Sequence, residues 1–324
     1  MITIGYSLAG EEHGPNDLVR FAQRAEDVGF EFTFASDHYH PWVDRQGNSP
    51  FVWCVIGGVA QTTTRLRLGT GVTCPIMRIH PAIIAQAAAT AAAMLPQRFF
   101  LGLGTGENLN EHILGNHWPE GDVRLEMLEE AVEIIRELWS GEDCSHRGRY
   151  YTVEEACIYT LPDELPPIYV AADGRRAAEL AGRVGDGLVG VAPKAELIEQ
   201  FREAGGEGKP CYAHFTACWG ETEKEARRTA HEVWPTSGLH GNLSWEIKTP
   251  RLFEAAVKNL SEEEAVESIV CGPEPGPYLE RIGKFESAGY DFVSIHNVGP
   301  DQEAFFEFFE DDLAPQLVRP RRSA

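Results

Sequence analysis

Positive charge is what this sequence has least of: 28 lysines and arginines face 50 aspartates and glutamates, a formal net charge of −22 at pH 7. Only six of the 28 are lysines. Phosphate neutralisation needs basic patches, so neither nucleic acid nor an anionic membrane is expected as a partner. The acidic excess fits a high-salt cytoplasm, and arginine in place of lysine also fits a GC-rich coding sequence; composition does not separate the two. Long apolar runs are missing as well, none approaching the roughly 20 residues that cross a bilayer. Met1-Ile2-Thr3-Ile4-Gly5 starts directly as a strand, without the basic and apolar segments of a secretion signal, and a cytoplasmic location is expected. Cys54, Cys74, Cys144, Cys157, Cys211, Cys218 and Cys271 contain no Cys-x-x-Cys pair, so the sequence indicates neither a zinc site nor a disulfide framework.

What is present is alternation. Apolar strand-like runs recur at Ile2–Tyr6, Phe30–Ala35, Leu66–Val72, Phe99–Gly104, Ile168–Ala172, Gly187–Val191, Cys211–Cys218 and Phe292–His296. Helical patterns lie at Asn16–Val28, Phe51–Gln61, Pro81–Met94, Arg124–Trp139, Arg175–Arg183, Ala195–Glu203, Glu221–Val233 and Tyr278–Ala288, with a final amphipathic helix over Gln302–Leu317. Eight alternations in 324 residues predict an α/β fold, a single (β/α)8 barrel of the TIM type spanning residues 1–324 as one domain. Segments beyond the basic repeat, at about 105–122, 140–166 and 234–272, are candidate loops over the carboxyl ends of the strands, where pockets form. The helix Arg124–Trp139, with Leu125, Leu128, Ala131, Ile134, Ile135 and Leu138 at 3–4 spacing, reads as scaffold alone.

Four clusters fall at strand ends. Phe99-Phe100-Leu101-Gly102-Leu103-Gly104-Thr105-Gly106-Glu107-Asn108-Leu109-Asn110-Glu111 begins as a buried strand and breaks into glycines that admit a ligand close to backbone. Glu107 and Asn110 follow as site candidates. Its Gly-x-Gly-x-Gly is not the dinucleotide fingerprint, since Glu107 occupies the place of the last glycine. Ser36-Asp37-His38-Tyr39-His40-Pro41-Trp42 places an imidazole, His38, where it can take a hydroxyl proton near neutral pH. His38-x-His40 as a metal pair lacks the further histidines that a barrel hydrolase draws from later strand ends; His40 and Tyr39 read as loop structure. In Leu68-Gly69-Thr70-Gly71-Val72-Thr73-Cys74-Pro75 the glycines permit either passage of the chain flat beneath a planar ring or a strained peptide, with Cys74 as a small apolar wall. Ala171-Ala172-Asp173-Gly174-Arg175-Arg176-Ala177 starts a helix with two arginines, which an anionic ligand at the helix N-terminus would compensate.

Together these motifs resemble the luciferase-like barrel superfamily, in particular its coenzyme F420-dependent glucose-6-phosphate dehydrogenase branch. The resemblance covers nearly the whole chain and includes the scaffold signatures Leu138-Trp139-Ser140-Gly141, Gly148-x-Tyr150-Tyr151 and Ala181-Gly182-Arg183-Val184-Gly185-Asp186-Gly187. It implies that Asp37 contacts the deazaflavin, that His38 acts on the substrate hydroxyl proton and that Trp42 steadies the developing charge. Glu107 would serve the ring nitrogen that gains a proton. Gly71 and Val72 would form a non-prolyl cis peptide behind the ring, with Cys74 beside it where the family has threonine. Thr105, Gly106 and Asn110 would line the cofactor. The turn of Asp173, Gly174, Arg175, Arg176 and Ala177 would hold its phosphate, where the family has Gly-Gly-Pro in place of Asp173-Gly174-Arg175. His38 and Glu107 are expected on separate faces of the ring, as base and acid.

The substrate positions depart from that pattern. Of three phosphate-binding cations in the sugar-phosphate members, Lys194 matches the first, while Ser244 and either Glu267 or Ser268 fall on the others. A threonine near the sugar is Val191 here. The expectation is a dehydrogenase acting on the CH–OH group of a neutral sugar or alcohol, or on a phosphorylated substrate in another pose. By analogy with the branch it would be a homodimer formed through barrel helices. A flavin-dependent monooxygenase on the same barrel and a cofactor-binding protein without turnover are the alternatives.

Overall fold

The computed structural model describes residues 2–239 and 241–317. All eight expected strands form: β1 (Thr3–Leu8), β2 (Phe32–Ala35), β3 (Arg67–Thr70), β4 (Phe99–Leu103), then, after a two-stranded hairpin of β5 (Cys144–Arg147) and β6 (Thr152–Ala156), β7 (Ile168–Ala171), β8 (Gly187–Gly190), β9 (Cys211–Cys218) and, after the two-residue β10 (Val270–Cys271), β11 (Phe292–Asn297). Neighbouring barrel strands pair in parallel in the order β9-β11-β1-β2-β3-β4-β7-β8, and β8 pairs back onto β9. The barrel is closed, and every strand delivers its carboxyl end to the same mouth.

Glycines and aromatic rings decide how the barrel is filled. A Cβ at Gly69 would lie 1.9 Å from the ring of Phe100, and one at Gly5 would lie 2.5 Å from the ring of Phe32, so the missing side chains make room for rings from the neighbouring strand. Phe32, Phe34, Phe100, Tyr169, Tyr212 and Phe292 form one interior cluster. Tyr212 stacks on Phe292 at 4.1 Å between centroids and on Tyr169 at 4.7 Å. The Arg67 guanidinium lies 5.6–5.8 Å from the ring centroids of Phe100, Tyr212 and Phe292. This plug fills the lower barrel and leaves space only above it, toward the strands' carboxyl ends.

The helices follow their apolar periodicity. Helix Pro81–Met94 is so rich in alanine that it packs closely between helices Val52–Thr62 and Gly121–Leu138, and Trp139 Nε1 donates to its Ala85 carbonyl at 2.9 Å. The expected helix at Ala195–Glu203 forms as Ala195–Phe201, continues through a wider turn from Arg202, and kinks at Gly205, whose φ of +109° no ordinary L-residue adopts. The C-terminal helix, Gln302–Phe308, continues through a wider turn at Phe309–Leu313 and tucks Phe305, Phe306 and Phe309 against Tyr6 and Phe30.

Two of the three insertions reach the mouth; the third does not. The β5–β6 hairpin within 140–166 climbs the outer face of helix Gly121–Leu138, from His146 beside Glu137 to Arg149 and Tyr150 on Glu126 and Glu130. Topology explains this correction. The segment connects a helix to the next strand, so it leaves from the end of the barrel opposite the mouth and stays on the outer wall.

Candidate active site

A cavity of about 800 Å³ opens at the carboxyl ends of the strands. Gly71, Val72, Gly104, Ala171, Val189 and Val191 give it small and apolar lining at the ends of β3, β4, β7 and β8. Gly71–Val72 is a cis peptide, as the resemblance implied. Close approach of β3 and β4 requires glycine here. A Cβ at Gly102 would fall 2.0 Å from the Thr70 carbonyl oxygen, and one at Gly106 (φ +68°) would fall 2.5 Å from Cys74 Sγ. Cys74 is buried, and that burial pushes its thiol well above the usual range, which suits an inert wall rather than a nucleophile. Thr105 also lines the cavity.

His38 lines the same cavity from the end of β2. Its Nδ1 lies 3.1 Å from the His40 carbonyl, an acceptor only, so Nδ1 carries the proton and Nε2 faces the site. Glu11 Oε1 is 3.3 Å and Glu107 Oε2 3.7 Å from Nε2. Burial alone would lower the imidazole pKa; the two carboxylates, first Glu11 and then Glu107, outweigh it, and the net direction is upward. The 3.7 Å contact corrects the expectation that His38 and Glu107 flank a ring. A ring held between them would need two van der Waals gaps of about 3.5 Å each. They form one cluster on one side of the cavity. The Trp42 ring lies 5.0 Å from His38 between centroids and is braced edge-on by Phe253 at 5.2 Å.

Beneath this cluster lies a buried ion network that the sequence reading did not find. Arg78 donates to Asp37 Oδ1 at 2.7 Å, and its backbone N–H donates to Glu111 Oε2 at 2.7 Å. Thr73 Oγ1 donates to Asp37 Oδ2 at 2.7 Å. Burial raises the Glu111 carboxyl to about 7 in spite of Arg78. The Asp37 carboxylate, expected to face the cofactor, is thus engaged by Arg78 and Thr73. Asn110 is engaged as well. Its Oδ1 accepts from the Tyr39 and His40 amides at 2.9 and 3.2 Å, and its Nδ2 donates to Glu107 Oε2 at 2.9 Å, so it ties Glu107 to the loop that carries His38.

At the far end, Asp173, Gly174, Arg175, Arg176 and Ala177 line the cavity where helix Arg175–Val184 begins with no side-chain cap. A Cβ at Gly174 would meet nothing within 4 Å, so the turn borders open space. Arg175 pairs with Glu179 at 2.8 Å and Arg176 pairs with Asp122, both on the exposed surface. Asp122, Arg124 and Leu125 line the cavity too, so the helix read as scaffold alone contributes its first turn to the site. Val191 and Ser244 line it; Lys194 does not. Lys194 Nζ lies 2.7 Å from Asp173 Oδ1, drawn there by the carboxylate that stands where the family has glycine. Glu267 and Ser268 are also outside the lining.

Sequence reasoning missed Glu11, His214, Thr216, Trp234 and His296, all of which line the cavity. The pair Glu11-Glu12 directly after the first strand was the available signal for Glu11. His214 and His296 lie inside strands, and only register shows that they face inward.

The family model described as luciferase-like monooxygenase matches residues 2–291. An F420-dependent glucose-6-phosphate dehydrogenase of Microbacterium testaceum is 34% identical over 328 residues, covering 98% of this chain and 97% of that protein. The protein of that name from Mycobacterium tuberculosis is 34% identical over 333 residues, covering 98% of each chain. Among solved structures, an F420-dependent secondary alcohol dehydrogenase in complex with an F420-acetone adduct superposes with a TM-score of 0.90 at 29% identity, covering 98% of this chain and 99% of that one. The tetrahydromethanopterin reductase from Methanopyrus kandleri, at 20% identity and a TM-score of 0.79, shares the fold.

Proposed function

The chain belongs to the luciferase-like monooxygenase family, and from that premise we propose that it is a coenzyme F420-dependent dehydrogenase acting on the CH–OH group of a neutral sugar or alcohol. The observation that carries this reading is His38 Nε2, turned toward the cavity between the carboxylates of Glu11 and Glu107.

The residues present fit a planar ring on an anionic tail. Gly71, Val72, Gly104 and Ala171 offer small, apolar lining against which a ring would lie. The uncapped helix start at Arg175, Arg176 and Ala177 offers N–H donors and positive charge to a phosphate. When bound, the deazaflavin supplies a hydride acceptor. The chain's own residues supply the rest. His38 takes the hydroxyl proton at Nε2, and Nδ1 on the His40 carbonyl fixes its tautomer. Asn110 Nδ2 holds Glu107 Oε2 in place, and the protonated carboxyl of Glu107 would be the proton source beside the ring nitrogen. Trp42, braced by Phe253, closes one wall and excludes water from the reacting hydroxyl.

A neutral substrate is supported by the charge of the pocket. Lys194 is spent on Asp173, and Ser244 and Val191 bring no cation. Glucose is expected to turn over faster than glucose 6-phosphate, and a strong preference for the phosphorylated sugar would overturn this. Absorption and fluorescence titrations should show deazaflavin binding in preference to flavin mononucleotide. His38→Ala should lower turnover by roughly 10²–10⁴, the usual contribution of a general base. Tighter flavin binding would favour a monooxygenase, and a silent His38→Ala a binding protein.

The chain would act as one barrel unit and as a homodimer. An apolar groove of about 280 Å³ between helices Val52–Thr62 and Pro81–Met94 supports the dimer, with Phe51 52% and Ile83 57% exposed. Light scattering should give twice the chain mass, and Ile83→Glu should halve it. Seven free cysteines support a reducing, cytoplasmic location.

A further inference from the structure

The cavity's other side, made by β1, β9 and β11, is polar and remains unused by the chemistry above. Thr216 and His296 are register partners on β9 and β11, and both line the cavity. Their side chains therefore stand side by side, about one strand spacing of 4.8 Å apart. His214 and Ser7 line the same end, and Ser7 Oγ and Ser294 Oγ are 2.7 Å apart behind it. His296 is 6% exposed, and its Nε2, closed to solvent, has no hydrogen-bond partner among the described residues. Trp234 holds the ring edge-on, with centroids 4.6 Å apart at 82°. Behind it Glu12 Oε1, also without a hydrogen-bond partner among the described residues, is 3.9 Å from His296 Nε2, while Glu12 Oε2 accepts from the Gly299 amide at 2.9 Å.

The consecutive carboxylates at the end of β1 thus face two different imidazoles, Glu11 toward His38 and Glu12 toward His296. The environments push the two apart. His38 is driven up by Glu11 and Glu107, whereas burial, with His214 and His13 nearby, drives His296 down to about 3. Burial also raises Glu12 to about 8 and lowers His214. At neutral pH one imidazole is tuned for proton transfer, and the other stays uncharged; with its Nε2 on the Glu12 side, Nδ1 is the ring nitrogen left to meet a hydroxyl, as donor or acceptor. Among the described residues lining the cavity, the cations are Arg124, Arg175 and Arg176, which come from the β4 and β7 side. No positive charge at the His296 end would balance an anionic group.

We propose that His296 and Thr216 form a subsite for a second substrate hydroxyl, so that the donor is a neutral polyhydroxylated molecule, a free sugar or a polyol, rather than a monohydric alcohol. This rests on the dehydrogenase reading and names its substrate class.

The test compares sorbitol and glucose with 2-propanol as donors for deazaflavin reduction, in the wild type, His296→Leu and Thr216→Val. The wild type should show at least tenfold higher kcat/KM for the better polyhydroxylated donor. His296→Leu should lower that value at least tenfold more than it lowers the value for 2-propanol, chiefly through KM. In ¹⁵N spectra of the cofactor-loaded wild type, sorbitol or glucose should shift the His296 imidazole and 2-propanol should not. Deazaflavin affinity within twofold of wild type certifies a folded variant; if His296→Leu does not fold, Thr216→Val carries the same comparison. A preference for 2-propanol, or a donor ratio that neither variant moves, overturns the subsite and leaves the dehydrogenase standing. Failure of all three donors overturns both.

Discussion

Glu11 approaches His38 Nε2 more closely than Glu107 does, 3.3 against 3.7 Å, and is the more deeply buried of the two. Its other oxygen accepts from Ser36 Oγ at 2.8 Å, which fixes its direction. The sign of its effect on a general base is definite. A carboxylate beside the imidazole favours the protonated form, so it raises the pH at which His38 becomes free to accept a proton. Glu11→Gln removes that charge and keeps an oxygen near Ser36. The acid limb of the kcat/KM profile for alcohol oxidation should move to lower pH, by about one unit if the contact is worth about 1.4 kcal/mol. An unmoved limb would show that Glu11 does not act on the base. His38 and Glu107 were legible as candidates because a strand end announces them, and Trp42 through the resemblance alone. Glu11 also follows a strand end, in Gly10-Glu11-Glu12-His13-Gly14, but which of the two adjacent carboxylates meets His38 is set by the adjacency of β1 and β2.

Elements were legible where burial writes a pattern. The eight barrel strands are short apolar runs because both faces are covered, and each was found to within a few residues of its true ends. The β5–β6 hairpin was missed because β5 alternates between half-buried and exposed and carries Ser145, His146 and Arg147, so it resembles a surface loop. One connection shows how an element is fixed by a single side chain from another. Glu26, near the end of helix Pro15–Asp27, accepts hydrogen bonds from the backbone amides of Thr64 (3.0 Å), Arg65 and Leu66 (2.8 Å), the turn that launches β3. Although burial would raise its pKa, these amides hold the carboxylate below the usual range. Glu26→Ala would leave three amides without their acceptor. With charged hydrogen bonds worth about 1.5–3 kcal/mol each, a loss on the order of 3 kcal/mol is expected in urea unfolding. Because the folded pKa is depressed, this contribution is complete above the unfolded carboxylate pKa of about 4.3 and vanishes as pH falls through the folded value. Wild type and variant should therefore converge in stability at acid pH; a gap that persists there would mean packing, not the amide cradle, is what Glu26 supplies.

At the scale of the molecule, which carries an excess of 22 negative charges, added salt acts on folding and on anion binding at the arginine pair with opposite signs. Many of the ion pairs are exposed, such as Arg147–Glu154 and Lys284–Glu280, and pairs of that kind contribute little and are themselves screened. What salt chiefly removes is repulsion among unpaired carboxylates, as the screening length falls from about 10 Å at 0.1 M to about 3 Å at 1 M. The thermal midpoint should rise by roughly a few degrees over that range, with 1 kcal/mol worth about 2–4 °C in larger domains. Deazaflavin affinity should move the other way. Its anionic tail would be held by Arg175 and Arg176, which are exposed and already compete with Glu179 and Asp122, so their attraction is screened as strongly as any on the surface. Measuring both quantities in one salt series separates the effects. A midpoint that rises while affinity falls places the tail at the arginine pair. An affinity that holds constant from 0.1 to 1 M would mean that backbone amides at the helix start grip the phosphate without them, and Arg175→Gln with Arg176→Gln would then bind as tightly as the wild type.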